Sequence, residues 1–119
     1  HEVLSDIYYK LNKEYNGKSI VIDQEIKYEW ARIPHFYMFF YVYQYATAYI
    51  AAINLSLDIL NNKEKAVQNY LEFLSLGCTK TPIESLKIAG VDITSESVIN
   101  NAFSYFDDLV NELSSLYKA

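Results

Sequence analysis

At 119 residues the chain is long enough for one ordinary domain that buries roughly two thirds of its unfolded surface. Apolar residues make up 51% and there are only three Gly and two Pro, a balance that argues against a disordered chain and for a packed, helix-rich one. The formal charge of −5 and a pI near 4.9 argue against nucleic acid as a partner, and the ten basic residues are scattered rather than gathered into a membrane-binding patch.

Cys78 is the single cysteine, so no internal disulfide framework exists and a reducing compartment is the simpler expectation. No signal peptide is legible and the first residue is His1, so the chain reads as a segment of a longer protein.

In chain order, Val3, Leu4, Ile7, Tyr8, Leu11 and Tyr15 recur at helical spacing up to Asn16-Gly17, which predicts an amphipathic helix with Gly at its C-terminal end. Ser19 to Ile22 reads as an extended connector, with an edge strand as the alternative. Tyr28, Trp30 and Ile33 suggest a short helix or turn that Pro34 interrupts. From Ile33 to Leu57 no residue is charged. A helix apolar nearly all round is buried in a larger protein or in a membrane. The stretch is long enough to span a bilayer, but five Tyr hydroxyls, Gln44, Thr47 and Asn54 would lie at lipid depth; a central, aromatic-rich buried helix is the expectation.

Asn62 is placed to cap a helix carrying Ala66, Val67, Tyr70, Leu71, Phe73 and Leu74, which ends at Gly77. Thr81-Pro82-Ile83-Glu84 combines a cap, a proline at the first helical position and a glutamate three residues after the cap, opening a short helix that stops at Gly90. Thr94 is expected to cap a long last helix whose buried stripe runs through Val98 or Ile99, Ala102, Phe103, Phe106, Leu109, Val110, Leu113 and Leu116. The fold class is all-α, with about five helices in one helical domain over residues 1–119.

Chemistry-bearing constellations are few. His1-Glu2-Val3-Leu4-Ser5 begins like a zinc-binding HExxH, but Ser5 stands where the second imidazole is required, so the match is coincidental and no metal site is expected in this chain. Cys78 at a helix end shows no thiolate-activating neighbours in sequence, and Asp107-Asp108 falls on the polar face of the last helix. There is no Gly-rich phosphate loop and no Gly-x-Ser-x-Gly. What remains is the aromatic segment. On a continuous helix Tyr37, Tyr41, Tyr45 and Tyr49 would form a stripe about 120° wide, with Tyr43 off it and His35 within about 80° of Tyr43. Such a stripe is either core with satisfied hydroxyls or the wall of a ligand groove whose phenol and imidazole donors hold a substrate carbonyl.

The run Trp30-Ala31-Arg32-Ile33-Pro34-His35-Phe36-Tyr37, continued by Phe40-Tyr41-Val42-Tyr43-Gln44-Tyr45-Ala46-Thr47, resembles the C-terminal region of bacterial oligoendopeptidase F enzymes, members of the thimet oligopeptidase-like M3 family of zinc metallopeptidases. The resemblance continues through Tyr70-Leu71-Glu72-Phe73-Leu74-Ser75, Gly77, Pro82, Leu86 and Ala89-Gly90-Val91-Asp92. It implies a helical enzyme with a deep channel for short peptides and a zinc ion held by two histidines of an HExxH helix and a following glutamate. All three ligands lie upstream of the residues seen here.

By that resemblance His35 matches the histidine opening the segment that faces the zinc. Tyr43 is the first choice for the tyrosine stabilising the tetrahedral intermediate, with Tyr41 as runner-up. Tyr37 and Tyr45 are the expected substrate-binding residues. The family's Gly-rich spacer, found in its thimet oligopeptidase branch, is absent here. The chain is therefore expected to be cytoplasmic and to partner the preceding part of the same protein. By itself it should bind no zinc, cleave nothing and self-associate. The alternative is a helical interaction module whose aromatic groove receives a partner helix.

Overall fold

The computed structural model describes residues 1–61 and 64–117, and the regular structure of these residues is helical. Among the described residues there are five α-helices: α1 (Glu2–Asn16), α2 (Tyr43–Leu60), α3 (Glu64–Ser75), α4 (Pro82–Ala89) and α5 (Glu96–Tyr117). Two 3-10 segments, Gln24–Arg32 and Pro34–Tyr37, lie between α1 and α2. No strand occurs among the described residues, so the 19–22 connector is irregular. The chain divides into two compact units, His1–Gln44 and Tyr45–Ala119.

In the first unit α1 ends where Gly17 turns to a φ of 70° and its N–H reaches the Lys13 carbonyl, a conformation that costs Gly least. The first 3-10 segment then packs back on α1. It does so against Ser5, Tyr8 and Tyr9, on the turns where a serine and two phenols can meet polar partners. Of the expected apolar stripe of α1 only Tyr8 lies on the packed face: Val3, Leu4, Ile7, Leu11 and Tyr15 are exposed, and Ser5 is the buried residue of the helix. Helical periodicity located the amphipathic helix correctly, but the side it buries within this unit is chosen by hydrogen bonding to Trp30, Glu29 and Gln24. Ile33 is extended (φ −87°, ψ 106°) because the ring of Pro34 crowds a helical residue before it. Pro34 then starts the second 3-10 segment at a position needing no N–H donor.

The second unit packs α3 against α4 and is built on small side chains. Ala51 of α2, Ala89 and Val91 at the end of α4, and Ala102 of α5 are its buried apolar residues, with Val91 only 1% exposed. Asn54 of α2 is also buried. Both of its amide protons are used, one on the Ile50 carbonyl (2.9 Å) and one on the Val98 carbonyl of α5 (2.8 Å), while its oxygen accepts from Asn101 (3.5 Å). Small residues let backbones approach, and a satisfied amide joins them.

Helix α2, uncharged up to Leu57, is therefore not buried all round in this chain. Only Ala51 and Asn54 of it are buried, and Tyr43, Tyr45 and Tyr49 are exposed. No helix of the described residues is long and apolar enough to cross a membrane.

Helix α4 follows its sequence closely. Thr81 and Glu84 form the capping box, Pro82 is the first residue, and Gly90 closes the helix at φ 102°. The Thr81 N–H and hydroxyl both reach the Glu84 carboxylate, holding it below the usual carboxylate range. Helix α5 starts later than expected. Thr94 does not cap it, because its hydroxyl and N–H are drawn to the Asp92 carboxylate in the preceding turn (2.5 and 3.1 Å). The proposed cap at Asn62 lies outside the described residues.

Candidate functional site

The aromatic segment is not one continuous helix. The second 3-10 segment ends at Tyr37, and α2 begins only at Tyr43. Between them Phe40 takes a positive φ of 50°, a conformation that a bulky residue adopts at a cost. The break dissolves the Tyr37-Tyr41-Tyr45-Tyr49 stripe expected from a 100° period. It also brings together two residues that the stripe kept apart. The half-buried His35 stacks its imidazole on the Tyr41 ring, with centroids 5.6 Å apart and planes 26° from parallel. The turn is fastened by the Gln44 backbone N–H to the Tyr41 carbonyl and the Gln44 side-chain amide to the Phe40 carbonyl, each at 3.1 Å.

Tyr37 is exposed, and its hydroxyl donates to the Ala31 carbonyl at 2.8 Å, so that proton is committed within the protein and the oxygen remains an acceptor. Tyr43 begins α2 and is 60% exposed. Tyr45 belongs to the second unit and is likewise exposed. In the first unit, then, the structure joins His35 with Tyr41, fixes Tyr37 to the backbone beneath them and sets Tyr43 two residues beyond the pair.

Two residues that sequence reasoning did not connect support this turn. The Trp30 indole N–H donates to the Ser5 hydroxyl at 3.1 Å across 25 residues. Nothing in the sequence pairs them, since Ser5 attracts notice only as the gap in a zinc motif. A second feature emerges in the other unit, where α2 and α5 flank an apolar groove of about 360 Å³ lined by Tyr49, Ile53, Phe103, Phe106 and Leu109 among others. Its lining was legible as two separate helical stripes.

No group of three or more His, Cys, Asp or Glu side chains converges among the described residues in a way that could hold a metal ion. The residues present thus do not fit a zinc site on their own. Chemically, the His35–Tyr41 turn carries an imidazole and a phenol, groups able to form hydrogen bonds, next to aromatic faces that a peptide backbone can lie against.

A helical chain presenting such a turn matches a family of peptidases: the model of peptidase family M3 covers residues 1–105, and the chain belongs to that family. Within it the chain is similar to oligopeptidase PepF of Bacillus subtilis, with 50% identity over 115 residues, 97% of this chain and 17% of the relative. An oligoendopeptidase F homolog of Borreliella burgdorferi is 42% identical over 117 residues, 98% of this chain and 20% of the relative. The crystal structure of oligoendopeptidase-F from Enterococcus faecium superposes with a TM-score of 0.89 at 47% identity, covering 98% of this chain and 22% of that one. The chain therefore spans about a fifth of the length of the relatives it matches.

Proposed function

We propose that this chain is the C-terminal part of the catalytic domain of a zinc-dependent oligoendopeptidase that hydrolyses short peptides. In this reading it supplies hydrogen-bond donors beside the scissile carbonyl. The observation that carries this is the stacked His35–Tyr41 pair, within the aromatic segment that resembles oligoendopeptidase F. In this reading the zinc of such a peptidase is held by the rest of the protein.

When water adds to an amide carbonyl, negative charge develops on the carbonyl oxygen. A neutral imidazole N–H or phenol O–H aimed at that oxygen stabilises the charge without itself being transferred, and one such donor is worth about 3 kcal/mol in a water-poor site. His35 is assigned one donor. Tyr43 is the first candidate for the other, and Tyr41 the second, with the additional task of holding the imidazole plane. Tyr37 and Tyr45 contact the peptide. Once the rest of the protein and a bound peptide cover them, the aromatic rings beside the donors would exclude water and keep the interaction strong.

The test is made in the complete protein. His35→Phe and Tyr43→Phe should each lower kcat about a hundredfold with KM changed little, since the lost contact exists mainly in the transition state. Near-normal turnover in either variant removes that residue from the mechanism. Tyr41→Phe, which keeps the ring and removes the hydroxyl, separates its two tasks: unchanged kcat leaves it only the packing one. Tyr45→Ala should raise KM, and an unchanged KM would exclude it from peptide binding.

The exposed apolar faces of α1, α2 and α5 are covered, in this reading, by the rest of the same protein. A cytoplasmic location suits the exposed, lone Cys78. Recovery of the protein in a periplasmic or secreted fraction would contradict it.

A further inference from the structure

The first unit contains a series of bonds that begins on α1 and ends on His35. Ser5 is the buried residue of α1, 3% exposed, and its hydroxyl oxygen accepts the Trp30 indole N–H. The Trp30 carbonyl accepts the Ile33 N–H at 3.2 Å, and the Ile33 carbonyl accepts the Phe36 N–H at 3.2 Å, which carries the chain into the second 3-10 segment. The Met38 N–H closes that segment on the His35 carbonyl, and Tyr37 reaches back to the Ala31 carbonyl. His35 sits inside this doubly tied turn, with its ring on Tyr41.

Short 3-10 segments have strained hydrogen bonds and little stability of their own, so their orientation is set from outside. An indole N–H in a partly buried site needs an acceptor, and Ser5 supplies it. That bond fixes the direction of the Trp30 side chain and, through two backbone bonds, the entry to the His35 turn. Tyr37 fixes its exit.

We infer that Ser5, acting through Trp30, and Tyr37, acting through Ala31, are positioning residues that hold the His35 imidazole against Tyr41 in the orientation that presents its N–H to a substrate carbonyl. The inference rests on the reading of His35 as a donor in peptide hydrolysis, and its test separates the two.

In the complete protein Ser5→Ala should lower kcat at least about tenfold with KM held within about twofold, because a small misplacement of a donor is costly in the transition state. Ser5→Thr, which keeps the hydroxyl, should recover most of the loss. Tyr37→Phe, which keeps the ring that meets the peptide and removes only the bond to the Ala31 carbonyl, should behave like Ser5→Ala, and Trp30→Phe replaces Ser5→Ala should that variant fail to fold. The deciding measurement is made in a His35→Phe background, where Ser5→Ala should change kcat by less than about twofold, since its effect runs through the missing imidazole. A serine that merely stabilises the fold would lower kcat by the same factor in both backgrounds, and that result overturns the inference. So does an unchanged kcat in Ser5→Ala alone.

Normal turnover in His35→Phe would sink the donor reading instead. Positioning is then read from protein carrying ¹³C-labelled histidine, with the His35 ring signal assigned by its loss in His35→Phe. A signal displaced in Ser5→Ala and restored in Ser5→Thr supports positioning; a signal that stays in place in Ser5→Ala overturns it.

Discussion

Phe40 combines an exposed ring, 78% accessible, with a left-handed backbone. A β-carbon in that conformation costs about 1 kcal/mol, and so little of the ring is covered that burial does not repay it within this chain. The strain is stored where the chain turns from the His35 segment into α2. Phe40→Gly should therefore leave the thermal midpoint unchanged or raise it by a few degrees, and a clear drop would show that the ring, rather than the turn, is what matters there. At this scale the sequence was informative about which residues to watch and misleading about their geometry. His35, Tyr41 and Tyr43 stood out by type and by family likeness. Their arrangement was inferred from a helical period that Pro34 and the Phe40 turn break. The Ser5–Trp30 bond left no signal at all, because a hydrogen bond between residues 25 apart leaves no local pattern to read.

Helix α4 is the element whose ends the residues dictate most completely. Gly90 adopts a φ of 102°, and a β-carbon there would meet only the Asn69 amide at an ordinary 3.7 Å. Gly90→Ala should thus destabilise by about 1 kcal/mol through backbone strain alone, a loss readable in urea unfolding. Two carboxylates flank the helix. Glu84 is held below its ordinary value first by the Thr81 N–H and then by the Thr81 hydroxyl. Asp92 is held low first by the Thr94 hydroxyl and then by Lys87, 3.1 Å away. A carboxyl whose pKa is depressed on folding stabilises the folded state above the unfolded pKa and loses that contribution as pH falls through the folded one. Stability should accordingly decline below about pH 4. Thr81→Ala and Thr94→Ala should each flatten that decline when midpoints are compared at neutral pH and in mild acid. An unaltered acid slope would mean these bonds do not persist in solution. Capping boxes and C-terminal glycines are local codes, which is why α4 was legible to the residue. Thr94 was misassigned because Asp92, two residues earlier, competes for the same hydroxyl.

At the scale of the molecule, α1 and α5 carry their apolar residues at the expected spacing, yet the α5 stripe, expected to be buried, is exposed apart from Ala102 and the half-buried Val98. Phe103 is 64% exposed, and Phe106, Leu113 and Leu116 lie open along the same helix. Periodicity reports that a face is apolar; what covers it depends on partners in space, and the relatives are about five times longer than this chain. By itself the chain should form dimers or larger species at micromolar concentration. Light scattering should show a mass above that of a monomer, and Phe103→Lys combined with Phe106→Lys should lower it. A monomeric mass for the unaltered chain would count against the exposed faces being sticky in water.

Asn54 carries a consequence for the order in which the second unit assembles. One proton of its amide stays on Ile50 within α2 and the other bridges to Val98, 44 residues later, so α5 can dock only in the register that satisfies that second proton. A shift by one residue would leave a buried donor without an acceptor. Docking must also wait until the intervening chain has been gathered in, and the capped α4 with the adjoining α3 is the local structure able to form first. Folding of this half should run from its middle outwards, with the amide acting last as a check on alignment. Replacing Asn54 with Leu would then keep the helices while loosening their register, seen as sharp helical dichroism but broadened methyl signals from α5.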